Sequence, residues 1–225
     1  MTRPGIAALL VALGAIPAAA QTAPSTAEIA AYSGLFDAAH RGTAARIAQI
    51  AADGADIEAR DRRRRTPFLV AAFAGNHDAM RALARAGADV NAQDEDGYGA
   101  VTIAAVANDP ETMSLALELG NRPDQIHWKW GGTALIAASE LGHVEVIRRL
   151  VAAGSPLDHV NNLGWTALLE AVILGDGGPN HQETVAILLA AGADRSIADR
   201  EGMTPLMHAR ARGFDDIAAL LRRPG

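Results

Sequence analysis

The stretch Thr133–Asn161, TALIAASELGHVEVIRRLVAAGSPLDHVN, decides how the rest of the chain is read. Its first half places Leu135, Ala138, Ser139 and Leu141 on one face of a short helix that breaks at Gly142-His143. In its second half Val144, Ile147, Leu150 and Val151 recur at helical spacing and stop at Gly154, a residue that accepts the left-handed backbone of a helix end. Two helices this short cannot bury an apolar stripe unaided. They need neighbours of the same shape, so the pattern predicts a stack of copies.

Edited copies run along the chain. Equivalents of Thr133 fall at Ser33, Thr66, Gly99, Thr166 and Thr204, with successive spacings of 33, 33, 34, 33 and 38 residues. Thr66-Pro67-Phe68 and Thr204-Pro205-Leu206 open two of them: the threonine hydroxyl can cap the first helix, and proline in the first turn loses no needed donor. Ala71-Ala72 and Ala104-Ala105 allow close approach of neighbouring helices, and Gly142 and Gly213 turn the chain between them. Gly87-Ala88-Asp89-Val90-Asn91 and Gly192-Ala193-Asp194 end the second helix. Asp61, Asp94 and Asp199 then start a hairpin, in which Gly97, Gly164 and Gly202 supply the turn two residues before the anchor.

These words at a period near 33 resemble the ankyrin-repeat family, and the resemblance spans residues 31–225 in six repeats. It implies an all-α solenoid of helix-turn-helix repeats with projecting β-hairpins and a concave binding face. Departures are informative. The family's histidine after its T-P-L opening is replaced by Leu69, Thr102, Ile136, Leu169 and Met207. The first and last repeats look like caps, which such arrays need for solubility. One residue is added before Thr133, where Asn121 to Trp130 replaces the usual hairpin and Trp128 stands for its aspartate. Five more, Asp176 to Asn180, are expected to form an exposed loop between the helices of the fifth repeat.

Composition is consistent with a folded, exported chain. It is 49% hydrophobic and 20% charged, with only 4% aromatic residues, so much of the core must be alanine in closely packed helices. Arg3, the apolar run Ile6–Ile16 and Ala18-Ala19-Ala20 form a secretory-leader pattern, with cleavage expected after Ala20 and a linker over residues 21–30. Eleven apolar residues fall short of the ~20 that span a bilayer. The leader therefore predicts a periplasmic or secreted protein with no stable membrane insertion after cleavage. The chain has no cysteine, which excludes disulfides and a lipid-anchoring thiol. Losing Arg3 with the leader takes the formal charge from −6 to −7, giving no general attraction for nucleic acid.

No catalytic motif is present: there is no G-x-S-x-G, H-E-x-x-H or P-loop. Gly175 to Gly178 does not follow a strand, and Asp94 to Gly97 lacks the rest of a calcium loop. His143 and His181 occupy turn positions, so structural roles are expected for both. No catalytic, cofactor or metal site is assigned.

The family's partner-facing positions, carried over by register, point instead to another protein as ligand. On the hairpins they include Arg62, Arg63, Arg65, Tyr98, Trp130, Leu163, Trp165 and Met203, with Trp128 close by. On the first helices they include Phe73, Leu141, Ile173 and Leu174. A row this rich in aromatic and apolar side chains, if exposed, marks an interaction surface. The leading expectation is a non-enzymatic protein-binding module, a neutraliser of a toxic effector or an accessory of envelope stress defence. The alternatives are a small-ligand, metal-binding or enzymatic role at residues 176–181, and a self-associating envelope scaffold.

Overall fold

The computed structural model describes residues 22–127 and 130–223. The proposed leader, Trp128 and the last two residues lie outside them. Six helix pairs follow one another: α2 (Gly34–Arg41) with α3 (Ala44–Ala52), α4 (Pro67–Phe73) with α5 (His77–Arg85), and α6 (Ala100–Ala107) with α7 (Pro110–Glu118). They continue as α8 (Ala134–Leu141) with α9 (Val144–Ala152), α10 (Ala167–Ile173) with α11 (Pro179–Ala190), and α12 (Pro205–Ala211) with α13 (Asp215–Arg222). An additional helix, α1 (Thr26–Ala31), precedes the first pair within the segment expected to be a linker.

Each first helix starts where the repeat words place it. The hydroxyls of Thr66, Thr133, Thr166 and Thr204 accept from the backbone N–H three residues on, satisfying one of the orphan donors of a helix start. Left-handed residues make most turns between paired helices, Gly75, Gly142 and Gly213, with Asn108 in the third pair, whereas Gly42 in the first is extended. First helices pack in order, α2 on α4, α4 on α6, α6 on α8, α8 on α10 and α10 on α12. Second helices form the other layer, with α3 on α5, α7 on α9, α9 on α11 and α11 on α13.

One continuous core runs between the layers, from Leu35 to Leu221, and alanine occupies many of its positions. Polar turn residues stitch successive repeats together: Asn76 Nδ2 donates to the carbonyls of Ala39 and Gly42, and His143 Nδ1 meets the carbonyl of Ala105 at 2.8 Å. In the α9 helix the core position is Val146 rather than Val144, because Val146, Ile147 and Leu150 share the face turned to the stack.

The five-residue insertion does not form a free loop. Pro179 and Asn180 open α11, which reaches 12 residues, so part of the added length is absorbed as helix. Gly177 lies against the Phe214 ring. His181 is buried between the Asp176 carboxylate at 2.8 Å and the carbonyl of Glu140 at 2.9 Å.

Candidate protein-binding face

The loops between repeats share one construction. Asp61, Asp94, Asn161 and Asp199 each accept, through Oδ1, the backbone N–H groups two and four residues on, at 2.8 to 3.0 Å. Their own N–H groups donate to the carbonyls of Arg65, Tyr98, Trp165 and Met203, closing tight turns. Only the loop that departs from the pattern contains a strand ladder among the described residues, β1 (Ile126–His127) against β2 (Gly132–Thr133). Adjacent loops are tied edge to edge: the Glu95 N–H donates to the Arg63 carbonyl at 2.9 Å, and the Asn162 N–H to the Trp130 carbonyl at 2.8 Å.

These ties redistribute the arginine run. Arg65, expected at the surface, is fully buried: its Nε donates to Asp61 at 2.7 Å and its guanidinium also pairs with Glu28 of α1. A side chain that closes the array onto α1 is unavailable to a partner. Arg63 spans the first two loops by pairing with Glu95 and Asp96 at 2.9 and 3.4 Å. Arg62 and Arg64 remain exposed, and Arg64 holds φ +58° where the other turns have glycine.

The apolar row divides similarly. Tyr98 and Ile173 are buried, at 3% exposure each, Tyr98 with its ring tilted at 48° to that of His127 and 5.1 Å from it between centroids, and Ile173 at the end of α10, so neither presents a surface. Phe73, Trp130, Leu141, Leu163, Trp165, Leu174 and Met203 are half-buried. The most exposed large apolar side chains include Ile126 and Met207, which the repeat register had not singled out.

Between the third, fourth and fifth repeats this side of the array opens into a small cavity of about 40 Å³. Its wall combines loop residues Tyr98, His127, Trp130, Asn161 and Leu163 with first-helix residues Val106, Ile136, Glu140 and Glu170. Glu170 is 97% buried (3% exposed); Oε1 accepts from Asn161 Nδ2 at 2.7 Å, and Oε2 has no protein partner. Burial, the nearby Glu140 charge and the opposing Asn161 hydrogen bond together leave its carboxyl raised to about 8. His127 is held the other way, down to about 4, by burial and by the nearby His159. Its Nδ1 and the Trp130 Nε1 are also buried without protein partners.

Sequence reasoning passed over Glu170, yet a signal existed. Four residues after the anchor the second, third and fourth repeats carry Val70, Ile103 and Ala137, all buried, so a glutamate in that register of an inner repeat has to sit in the core. The two end repeats are polar there as well: Asp37 of the first is half-buried and pairs with Arg41, and His208 of the last meets Asp199 at 2.6 Å as Glu170 meets Asn161.

A sequence model described as "Ankyrin repeats (3 copies)" matches residues 35–127 and 101–195. The chain belongs to the ankyrin-repeat family. It is 37% identical over 190 residues to the putative ankyrin repeat protein YahD of Escherichia coli K12, covering 84% of this chain and 94% of that one. A crystal structure of an ankyrin repeat domain from Acinetobacter baumannii superposes with a TM-score of 0.78 at 45% identity, over 83% of this chain and 95% of that one. The ankyrin repeat protein EF0377 gives the same TM-score at 29% identity, over 86% of this chain and all of that one. An ankyrin repeat domain is in general a protein–protein interaction module.

Around the insertion, Asp176 and His181 bond to each other, and no group of three metal-ligating side chains capable of holding an ion occurs among the described residues. No described helix is long and apolar enough to cross a membrane.

Proposed function

We propose that this ankyrin protein is a non-enzymatic module, exported to the periplasm or beyond, that holds another protein against its loops and first helices. The observation that carries the reading is the run of half-buried Trp130, Leu163, Trp165 and Met203 on consecutive loops, beside Leu141 and Leu174 of the first helices. Large side chains of this kind dominate binding energy when a partner completes their burial, and truncating one such anchor commonly costs about 2 kcal/mol or more. Tight turns and inter-loop hydrogen bonds hold the row rigid, which lowers the entropy lost on association.

The test is capture from native periplasmic extract by the immobilised protein, with bound material identified by mass spectrometry. The reading expects a retained protein that is lost with Trp130→Ala and Trp165→Ala at unchanged folding. Retention unaffected by both variants would sink the assigned face. The identity of the captured protein separates toxin neutralisation from support of envelope stress defence, and a captured second copy of this chain would indicate the scaffold role instead. The leader reading is checked by N-terminal sequencing of the exported form, which should begin at Gln21.

A further inference from the structure

The cavity between the third and fifth repeats contains more polar chemistry than the fold uses. Glu170 Oε2, His127 Nδ1 and Trp130 Nε1 lie buried beside it without protein partners, on side chains contributed by a first helix and by the departing loop. Glu170 and His127 are 3% and 6% exposed, so bulk water does not serve them. Buried polar groups left unmatched are costly, and three of them collected around one space imply an occupant. At about 40 Å³ the space takes about three water-sized atoms, since about 10–15 Å³ suffices for one water.

The hydrogen-bonding sense of the three atoms selects that occupant. The Trp130 N–H can only donate. Glu170 Oε1 already accepts from Asn161 Nδ2, and a carboxyl that titrates at about 8 is neutral at pH 7, which leaves Oε2 to carry the proton and donate. His127, held down to about 4, is a neutral imidazole whose Nδ1 accepts when the ring proton sits on Nε2. The wall thus offers two donors and one acceptor, all uncharged. An ammonium, which only donates, would face the indole N–H and the carboxyl proton. A carboxylate would bring a charge to a wall that holds no lysine or arginine among the described residues, and an unpaired buried charge is expensive. Glu140, the other carboxyl at the cavity, has a partner of its own, so the choice does not draw on its charge. The match is a neutral group whose oxygen accepts twice and whose adjoining N–H donates.

We infer that this cavity is a socket for a primary carboxamide on a short apolar stem, the end of a glutamine side chain carried by the partner protein. The inference rests on the protein-binding reading given above and names the chemistry that this face recognises. The amide oxygen accepts from the Trp130 N–H and the Glu170 O–H on its two lone pairs, and one amide N–H donates to His127 Nδ1. The second amide N–H is left to water at the open side. The methylenes of the stem pass the apolar Val106, Ile136 and Leu163. No proton changes hands and no charge is buried, so the complex avoids the desolvation that an ion would require.

The probe is propionamide, which reproduces the end of a glutamine side chain. Three controls of similar size are compared at equal ionic strength: butanone, which accepts but cannot donate, sodium propionate and propylammonium chloride. The chain has three tryptophans, so the indole N–H resonances are few, and Trp130→Phe assigns the one at the cavity. The expected result at pH 7 is a saturable shift of that resonance with propionamide, about tenfold weaker binding of butanone, which leaves His127 Nδ1 unmatched, and no saturable response to either ion. Glu170→Gln keeps a neutral donor, because its amide N–H replaces the acid O–H, and should bind propionamide within about threefold of wild type. Glu170→Met keeps the bulk but removes the donor and should bind about tenfold more weakly. No saturable shift means that the cavity holds water only and overturns the inference. An equal response to butanone or to either ion overturns it too, as does equal binding by Glu170→Met and wild type, or loss of binding in folded Glu170→Gln. If a protein is captured but propionamide does not bind, the socket alone is refuted. If propionamide binds but no protein is captured, the protein-binding reading fails and takes the glutamine source with it. Where both succeed, replacing the captured protein's glutamines singly by alanine should find one whose loss weakens capture about tenfold, and finding none refutes the glutamine source.

Discussion

Replacing Glu170 by glutamine should change how the protein's stability depends on pH. In the folded chain the carboxyl titrates at about 8, against 4.5 for the exposed group. The folded state therefore holds its proton through a window in which the unfolded state has lost it. For a carboxyl raised in this way, stability is fully present below 4.5 and declines as the pH rises through 8. At about 1.4 kcal/mol per unit, the loss is on the order of 3 kcal/mol by pH 7 and 4 to 5 kcal/mol above about pH 9. The wild-type curve alone does not isolate this effect, because His127 runs in the opposite direction. Its folded value is depressed from 6.5 to about 4, so keeping the ring neutral favours the folded state increasingly as the pH rises from 4 to 6.5. The difference between wild type and Glu170→Gln removes the His127 contribution. Glutamine retains an acceptor for Asn161 Nδ2, so near pH 4.5 the two proteins should agree within about 1 kcal/mol. By pH 8.5 the variant should be more stable by several kcal/mol. Urea unfolding followed by far-ultraviolet circular dichroism, repeated from pH 4.5 to 9, measures the difference through its midpoint at constant slope. A difference that stays flat across the range would show that burial does not keep Glu170 neutral and would refute the reasoning.

Arg65→Met should lower stability by about 3 kcal/mol, because it strands the Asp61 carboxylate, and should also speed proteolysis ahead of Tyr32 by releasing Glu28 of α1. Urea unfolding and limited digestion read the two effects separately. Arg64→Gly should raise stability by about 0.5–1 kcal/mol, since it relieves a left-handed residue at φ +58° at the cost of glycine's greater freedom when unfolded. An unchanged or lower urea midpoint would count against strain at that turn. Gly175→Ala should cost about 2 kcal/mol or more, because its Cβ would fall 2.2 Å from the Ala171 carbonyl oxygen and 2.5 Å from the His181 ring. A thermal midpoint equal to wild type would show that the turn relaxes freely.

Repeat number, helix starts and the order of the stack were legible in the chain itself, because each depends on residues within one period. Thr66, Thr133, Thr166 and Thr204 cap their helices through a hydroxyl three residues away, and Gly142 turns the chain where it stands. The face was less legible. Register placed Arg65, Tyr98 and Ile173 among outward positions, but all three are buried. Arg65 is held in part by Glu28, 37 residues earlier and in a segment read as linker, and Tyr98 lies against His127 of the departing loop. Nor did the added residues at 176–180 reveal in advance that α11 would take up Pro179 and Asn180.

What the sequence determined by itself is the repeating unit and its need for neighbours, because short-range hydrogen bonds and apolar spacing act within about four residues. Only the tertiary structure decided which polar side chains the stack would enclose. Glu170, His127 and Trp130 acquire their unusual states through burial against residues from other repeats, and desolvation depends on everything that surrounds a group in space.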